Sequence, residues 1–227
     1  GSWWGFSMMD LKSIGRTTFL SPVTWHDGWP YFGLPGNLGR SPRTWLKPQV
    51  DTQVAPHSTY ARNDDFGGPA LQPVWQWNHQ PVDGKWSLRQ RPGHLRLHAM
   101  PADGFLHARN TLTQRVMGPE STATVVLDAS GLQPGDIAGL GLLNMPAAWL
   151  GVVQSDTGQV LRWHSQVAGA DVDIPLRASR VYLRVRGDHD EDLARFSWST
   201  DGRRFQDIGE PVRLPYQLKT FQGTRYA

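Results

Sequence analysis

Short apolar runs broken by turn residues recur through most of this chain, and no segment holds a helical period long enough to predict a helix. Trp75 and Trp77 alternate with Gln76 and Asn78, as on a half-buried strand. Trp86 and Leu88 lead through Arg91-Pro92-Gly93 into Leu95 and Leu97, a hairpin pattern. Further apolar runs fall at Thr122–Leu127, Ala138–Leu143, Trp149–Val153 and Val160–Trp163. Val181, Leu183 and Val185 alternate with Tyr182, Arg184 and Arg186, and Phe196 and Trp198 pair across Asp201-Gly202 with Phe205. Turns return about every ten residues, a spacing that predicts an all-β, two-sheet antiparallel sandwich.

The pattern changes twice. Residues 1–48 are dense in aromatics, Gly and Pro; Trp3, Trp4 and Phe6 read as one short strand and Thr18-Phe19-Leu20 as another. This stretch is too short and too apolar to stand alone, and reads as the last strands of something larger. Residues 49–63 have low hydrophobicity and no period, and are predicted to be a linker. The sandwich is expected over 64–227. Thr224-Arg225-Tyr226-Ala227 falls inside a predicted strand, which is expected to leave an exposed edge and a sandwich truncated at its C-terminus.

Composition adds constraints. Eleven Trp, 24 Gly and 17 Pro favour short strands and turns over helices. Trp-rich β-proteins often stack indole faces on sugars, although most of these Trp read as core. Cysteine is absent, which removes disulfides, thiolate metal sites and a cysteine nucleophile. A net charge of +3 with Lys and Arg spread along the chain gives no basic stripe for nucleic acid, and no run is long enough for a membrane-spanning helix. Gly1-Ser2 has the look of a cloning scar, and no signal peptide is visible; the lack of cysteine is compatible with export, since many exported bacterial proteins also lack it.

Little catalytic chemistry is legible. Glycoside hydrolysis needs two carboxylates flanking the scissile bond. The three Glu present, Glu120, Glu191 and Glu210, each read as surface or turn residues, so no acid/base pair is assigned. The run Asp188–Asp192 lacks the Gly and the bidentate Glu of a calcium loop and reads as a charged turn before a strand. His94 and His98 would lie too far apart along a strand to chelate one ion. No nucleophile elbow or phosphate loop is present.

Two stretches carry a family resemblance. The first includes Trp3-Trp-Gly-Phe-Ser-Met-Met-Asp10, then Ser13-Ile-Gly-Arg-Thr-Thr-Phe-Leu-Ser-Pro-Val-Thr-Trp25, then Asp27-Gly-Trp-Pro-Tyr-Phe-Gly33. It resembles the closing blade of the five-bladed propeller of family 43 glycoside hydrolases. The second begins at Asp64-Asp65-Phe66 and includes Trp75-Gln-Trp-Asn-His79, Ala108-Arg-Asn-Thr-Leu-Thr-Gln114, Gly118-Pro-Glu-Ser-Thr122 and Thr220-Phe-Gln-Gly-Thr-Arg-Tyr226. It is similar to the concanavalin A-like sandwich appended to that family's β-xylosidases and α-L-arabinofuranosidases.

The resemblance implies the C-terminal part of an inverting, exo-acting enzyme that removes xylose or arabinose from plant xylan or arabinan. Its catalytic carboxylates would lie in an N-terminal propeller portion not contained in these residues, so no catalytic residue is assigned here. It also implies that Arg16, in the Gly-Arg motif, binds substrate hydroxyls. A rigid guanidinium fork is suited to that task. Phe221 sits where the family's sandwich sends an aromatic toward the active site; a core Phe on a strand edge is the other reading. Asp64 and Asp65 open the sandwich where related domains often hold a structural calcium; no cofactor is otherwise expected. The expected partners are a xylo- or arabino-oligosaccharide and the missing propeller portion. An autonomous carbohydrate-binding module for xylan or arabinan is the alternative, motivated by the Trp content.

Overall fold

A computed structural model of the chain describes residues 2–51, 62–218 and 223–227. The chain divides into two compact units: Gly1–Leu11 with Arg16–Arg62, and Lys12–Gly15 with Asn63–Ala227. As expected, the architecture is all-β; the helical turns are short 3-10 segments, among them Lys12–Ile14 and Phe105–His107.

The first unit carries one sheet, with β1 (Trp3–Leu11), β2 (Gly15–His26) and β3 (Trp29–Tyr31) hydrogen-bonded in that order. Both early strands run longer than the aromatic clusters alone indicate. The β2–β3 connection is the two-residue loop Asp27-Gly28, whose φ values of 49° and 77° are both positive. That conformation matches the twist of a hairpin, and Asp-Gly adopts it at low cost. His26 pairs with Trp29 across it.

In the second unit, residues 63–111 form only brief strands: β4 (Gln76–Trp77), β5 (Trp86–Ser87) and β6 (Arg96–Leu97). β5 and β6 pair through Trp86↔Leu97, the hairpin read from the sequence. Side chains replace ladder bonds in this stretch. Asn110 Oδ1 accepts from the Val82 N–H at 2.8 Å and its amide donates back to Val82 O at 3.3 Å. Thr113 Oγ1 donates to Gln76 O at 2.9 Å, and Asn78 Nδ2 to Leu106 O at 3.0 Å. Backbone groups must be satisfied somewhere, and here short polar side chains do it.

The sandwich proper comprises β7 (Leu112–Arg115), β8 (Glu120–Asp128), β9 (Ile137–Leu143), β10 (Ala148–Ser155), β11 (Gly158–Ser165), β12 (Ala170–Leu176), β13 (Arg180–Asp188), β14 (Leu193–Ser199), β15 (Gln206–Arg213) and β16 (Arg225–Tyr226). Among the described residues one sheet runs β12-β11-β10-β9-β16-β7-β4 and the other β15-β14-β13-β8. Period-two alternation assigns the faces. Leu140, Leu142, Leu150, Val152, Leu161 and Trp163 from the first sheet meet Val181, Leu183, Val185, Phe196, Ile208 and Val212 from the second in one buried cluster. Full burial of each such side chain contributes about 1.5–3 kcal/mol.

Two features depart from the sequence reading. β12 and the charged start of β15 have little apolar alternation, yet both are strands, because their partners supply the pattern. Asp171 and Asp173 of β12 stand opposite His164 and Arg162 of β11. The terminal strand differs more. β16 is not an exposed edge: it pairs with β9 on one side (Tyr226↔Leu142) and β7 on the other (Tyr226↔Gln114).

Candidate functional site

Arg16 is the second residue of β2, close after the turn Lys12–Ile14. Its Nε lies 3.4 Å from Asp10 Oδ1 across the β1–β2 hairpin, and its side chain is 29% exposed. The guanidinium is therefore steadied at one edge by a carboxylate while part of it remains open to solvent. Phe221 lies outside the described residues.

The turn before Arg16 belongs to the second unit and is pinned there by polar groups. Ser13, 1% exposed, donates its N–H to Asp192 Oδ1 at 3.0 Å, and its carbonyl accepts from Thr224 N–H at 2.8 Å. Ser13 Oγ is 2.9 Å from His189 Nδ1. On the other side of the ring, Nε2 lies 3.3 Å from Ser121 Oγ, which is 2.8 Å from the Tyr226 hydroxyl. That hydroxyl donates to Ser121 O at 2.9 Å. The Lys12 ammonium caps the Asp190 carbonyl. His189 is 2% exposed, and burial holds its pKa below 6.5, against the opposing pull of Asp192, Asp188 and Asp190. Burial likewise pushes the Tyr226 phenol up. With both ring nitrogens engaged and no solvent access, His189 acts as a structural pin and not as a base for substrate. The sequence reading missed it: the acidic run around it marks a charged turn, and only the pairing of β16 beside β9 brings Tyr226 and Thr224 to it.

Other sequence candidates fall where their chemistry is already occupied. Glu120, Glu191 and Glu210 are all exposed, and Glu120 accepts from Arg186 Nη2 at 2.6 Å. Asp188 Oδ1 accepts the N–H groups of Asp190 and Glu191, both at 3.0 Å, the signature of a capped turn. His94 Nδ1 lies 3.2 Å from Pro92 O and His98 Nε2 3.0 Å from Gln90 Oε1. Asp64 accepts from Phe66 N–H at 2.8 Å and from the Trp75 indole at 2.7 Å, while Asp65 caps Gly67 at 2.9 Å. Those two carboxylates organise a turn and hold a Trp. Among the described residues no group of three or more His, Asp or Glu side chains is close enough to hold a metal ion. No helix among the described residues is long and apolar enough to cross a membrane.

Comparison with known proteins places this geometry. Residues 63–226 match the family model described as the beta xylosidase C-terminal concanavalin A-like domain. The chain is 32% identical over 217 residues to a putative beta-xylosidase of Xylanibacter ruminicola, covering 94% of this chain and 40% of that protein. It is 32% identical over 249 residues to a beta-xylosidase of Formosa agariphila, again spanning 95% of this chain and 40% of the relative. A solved structure of a bifunctional GH43-CE protein of Bacteroides eggerthii superposes over the whole chain with a TM-score of 0.85 at 32% identity, the chain covering 30% of it. The chain thus spans about two fifths of the curated relatives it matches. With β1–β3 as propeller strands ahead of a two-sheet sandwich, this chain belongs to glycoside hydrolase family 43, within the family of beta-xylosidase C-terminal concanavalin A-like domains.

Proposed function

We propose that this chain is the C-terminal portion of an inverting, exo-acting β-xylosidase or α-L-arabinofuranosidase acting on plant xylan or arabinan. Residues 1–48 then complete a propeller whose remaining strands carry the catalytic carboxylates, 49–63 is the connection, and 64–227 is a buttressing sandwich. In this reading Arg16 binds hydroxyls of a xylo- or arabino-oligosaccharide, and Phe221 narrows the mouth of the site.

The observation that carries the proposal is the state of the first sheet. Trp3, Phe6, Met8, Trp25 and Trp29 are exposed at 62%, 72%, 57%, 49% and 71%. A sheet this small with so much apolar surface is not an independently stable, solvated module. Further propeller strands are the natural cover. A freestanding sugar-binding module would present one or two ordered aromatic platforms instead of an unpaired core face.

The test uses nitrophenyl xyloside and nitrophenyl arabinofuranoside. The 227-residue chain alone should give no turnover above a blank, and the chain joined to its N-terminal propeller portion should hydrolyse one of the two. In that joined enzyme Arg16→Ala should lower kcat/KM about 10–100-fold, the usual cost of losing charge-assisted hydrogen bonds to substrate. Turnover by the chain alone, or an Arg16→Ala enzyme of full activity, would contradict the proposal.

A further inference from the structure

The outer face of the β15-β14-β13-β8 sheet carries a feature that neither the sandwich core nor the glycosidase chemistry uses. Alternation sends Val181, Leu183 and Val185 inward, so Arg180, Tyr182, Arg184 and Arg186 stand outward on β13. The cross-strand neighbour of Arg186 on β14 is Arg195. Like charges directly opposite on a sheet destabilise it, and an isolated domain gains nothing from the arrangement. Arg186 is relieved by Glu120 of β8. Arg195 is exposed and has no ion-pair partner among the described residues.

Arg184 is held ready. Its Nε donates to Thr124 Oγ1 at 3.0 Å, and its guanidinium carbon sits 3.4 Å from the centroid of the Phe205 ring. Stacking and a single hydrogen bond fix the plane of the fork, while its two terminal nitrogens have no acceptor among the described residues. Arg180 lies 5.6 Å over the Tyr182 ring. Tyr182 is pinned from the other side by the turn: a Cβ at Gly202 would come within 2.8 Å of its ring. The same turn, Asp201–Arg204, presents Arg203 and Arg204 as exposed side chains.

The carboxylates on this face are largely spent. Asp128 is paired with Arg91 and held far below the usual carboxylate range by Ser130 and Arg91. Asp201 accepts the N–H groups of Arg203 and Arg204 at 2.8 and 2.9 Å, which lowers it to about 2. Asp188 caps its own turn. The remaining acids are on β15: Asp207, opposite Ser197, and the exposed Glu210, in the bulged stretch opposite Arg195, against five arginines, Arg180, Arg184, Arg195, Arg203 and Arg204. What is left is a row of arginine forks with aromatic rings between them. Arginine is the residue for planar, bidentate recognition of carboxylate, and rings add contact with sugar C–H faces.

We propose that the face formed by Arg180, Tyr182, Arg184, Arg195 and Phe205 is a secondary binding surface for a pentose polysaccharide carrying uronic acid side groups. The inference rests on the glycosidase reading, and charge complementarity selects this occupant over a neutral chain. Each uronate carboxylate would take the open edge of one fork, Arg184 first, with Phe205 and Tyr182 against the sugar ring.

Affinity electrophoresis of the 227-residue chain tests this, in gels holding a uronate-bearing xylan, the same xylan with its carboxyls reduced to alcohols, or polyglutamate. Retardation is expected in the uronate gel. It should weaken about tenfold or more on carboxyl reduction, and by a similar factor in Arg184→Gln/Arg195→Gln. It should also weaken several-fold between about 0.01 and about 0.15 M salt. Arg184→Lys, which keeps the charge and loses the fork, should recover only part of the binding. An unchanged melting curve for the double variant shows that its fold is intact. Equal retardation before and after carboxyl reduction, equal retardation by polyglutamate, or an unaffected double variant overturns the surface. Xyloside turnover by the joined enzyme is scored separately. An active enzyme that ignores the uronate polymer refutes this surface alone, whereas an inactive one refutes the glycosidase reading.

Discussion

The two units use the same kinds of residue to opposite ends. In the sandwich, Leu150, Val152, Leu161 and Leu183 are 0% exposed, and even the large Trp163 is 2% exposed. In the three-stranded sheet, Trp29 is 71% exposed and Phe6 72%. Hydrophobicity along the sequence does not separate these environments; the number of layers does. A sheet buries a face only when a second layer lies on it. The sandwich supplies both layers from its own strands, and β1–β3 do not.

Truncations in each unit test that contrast most directly. Leu150→Ala should destabilise the chain by about 2–5 kcal/mol, because it opens a cavity between sheets that cannot fully collapse. Urea denaturation checks this, and a cost below about 1 kcal/mol would mean the two sheets pack loosely. A slightly smaller effect is expected at Gly209, where β15 bulges against β14. Its φ is +71°, and a Cβ there would stand 2.2 Å from the Trp163 indole. Gly209→Ala should therefore cost about 2–3 kcal/mol, combining an unfavourable backbone region with displacement of a buried ring.

The His189 pin probes the same contrast from another side, since it belongs to the sandwich and holds the turn Lys12–Gly15. A histidine whose folded pKa is depressed binds its proton more readily in the unfolded chain. Its stabilisation is therefore full above 6.5 and declines as pH falls from there through the lower folded value. Melting temperature should drop over that window, and the drop should flatten in His189→Asn. An unchanged slope in the variant would place the titration elsewhere. The smallest effect is the matched control: Trp29→Ser should change the stability of the 227-residue chain by no more than about 0.5 kcal/mol. A larger loss would show that its face is already covered within this chain.

Legibility from sequence followed the same division. Strands with strong alternation, such as β13, were plain because one face is core and the other solvent. β12 was not, because Asp171 and Asp173 are answered by Arg162 at 3.1 and 2.6 Å on the neighbouring strand, a pairing that local pattern cannot reveal. Residues 63–111 showed Trp positions correctly, but their backbone is satisfied by Asn110, Asn78 and Thr113 side chains instead of long ladders. The sequence pairs Phe205 with Phe196 and Trp198 across a hairpin; in the structure Phe205 precedes β15, whose Gln206 pairs with Trp198, and its ring lies under Arg184. Arg16 is singled out by its Gly-Arg motif, and its role as a substrate-binding residue belongs to the proposed function. The groups around His189 come from positions 13, 121, 189 and 226, and nothing local connects them.

Local sequence was enough to set the all-β class, the turn at Asp27-Gly28 and the inward set Val181, Leu183 and Val185, because turn chemistry and period-two alternation act between near neighbours. Long-range packing was needed for the rest: β16 closes the middle of a sheet, His189 becomes a buried neutral pin, and arginines of β13 and β14 stand side by side on one face. Those outcomes depend on contacts across long separations in the chain, where pairing partners and the loss of solvent, not neighbours in sequence, set the energy.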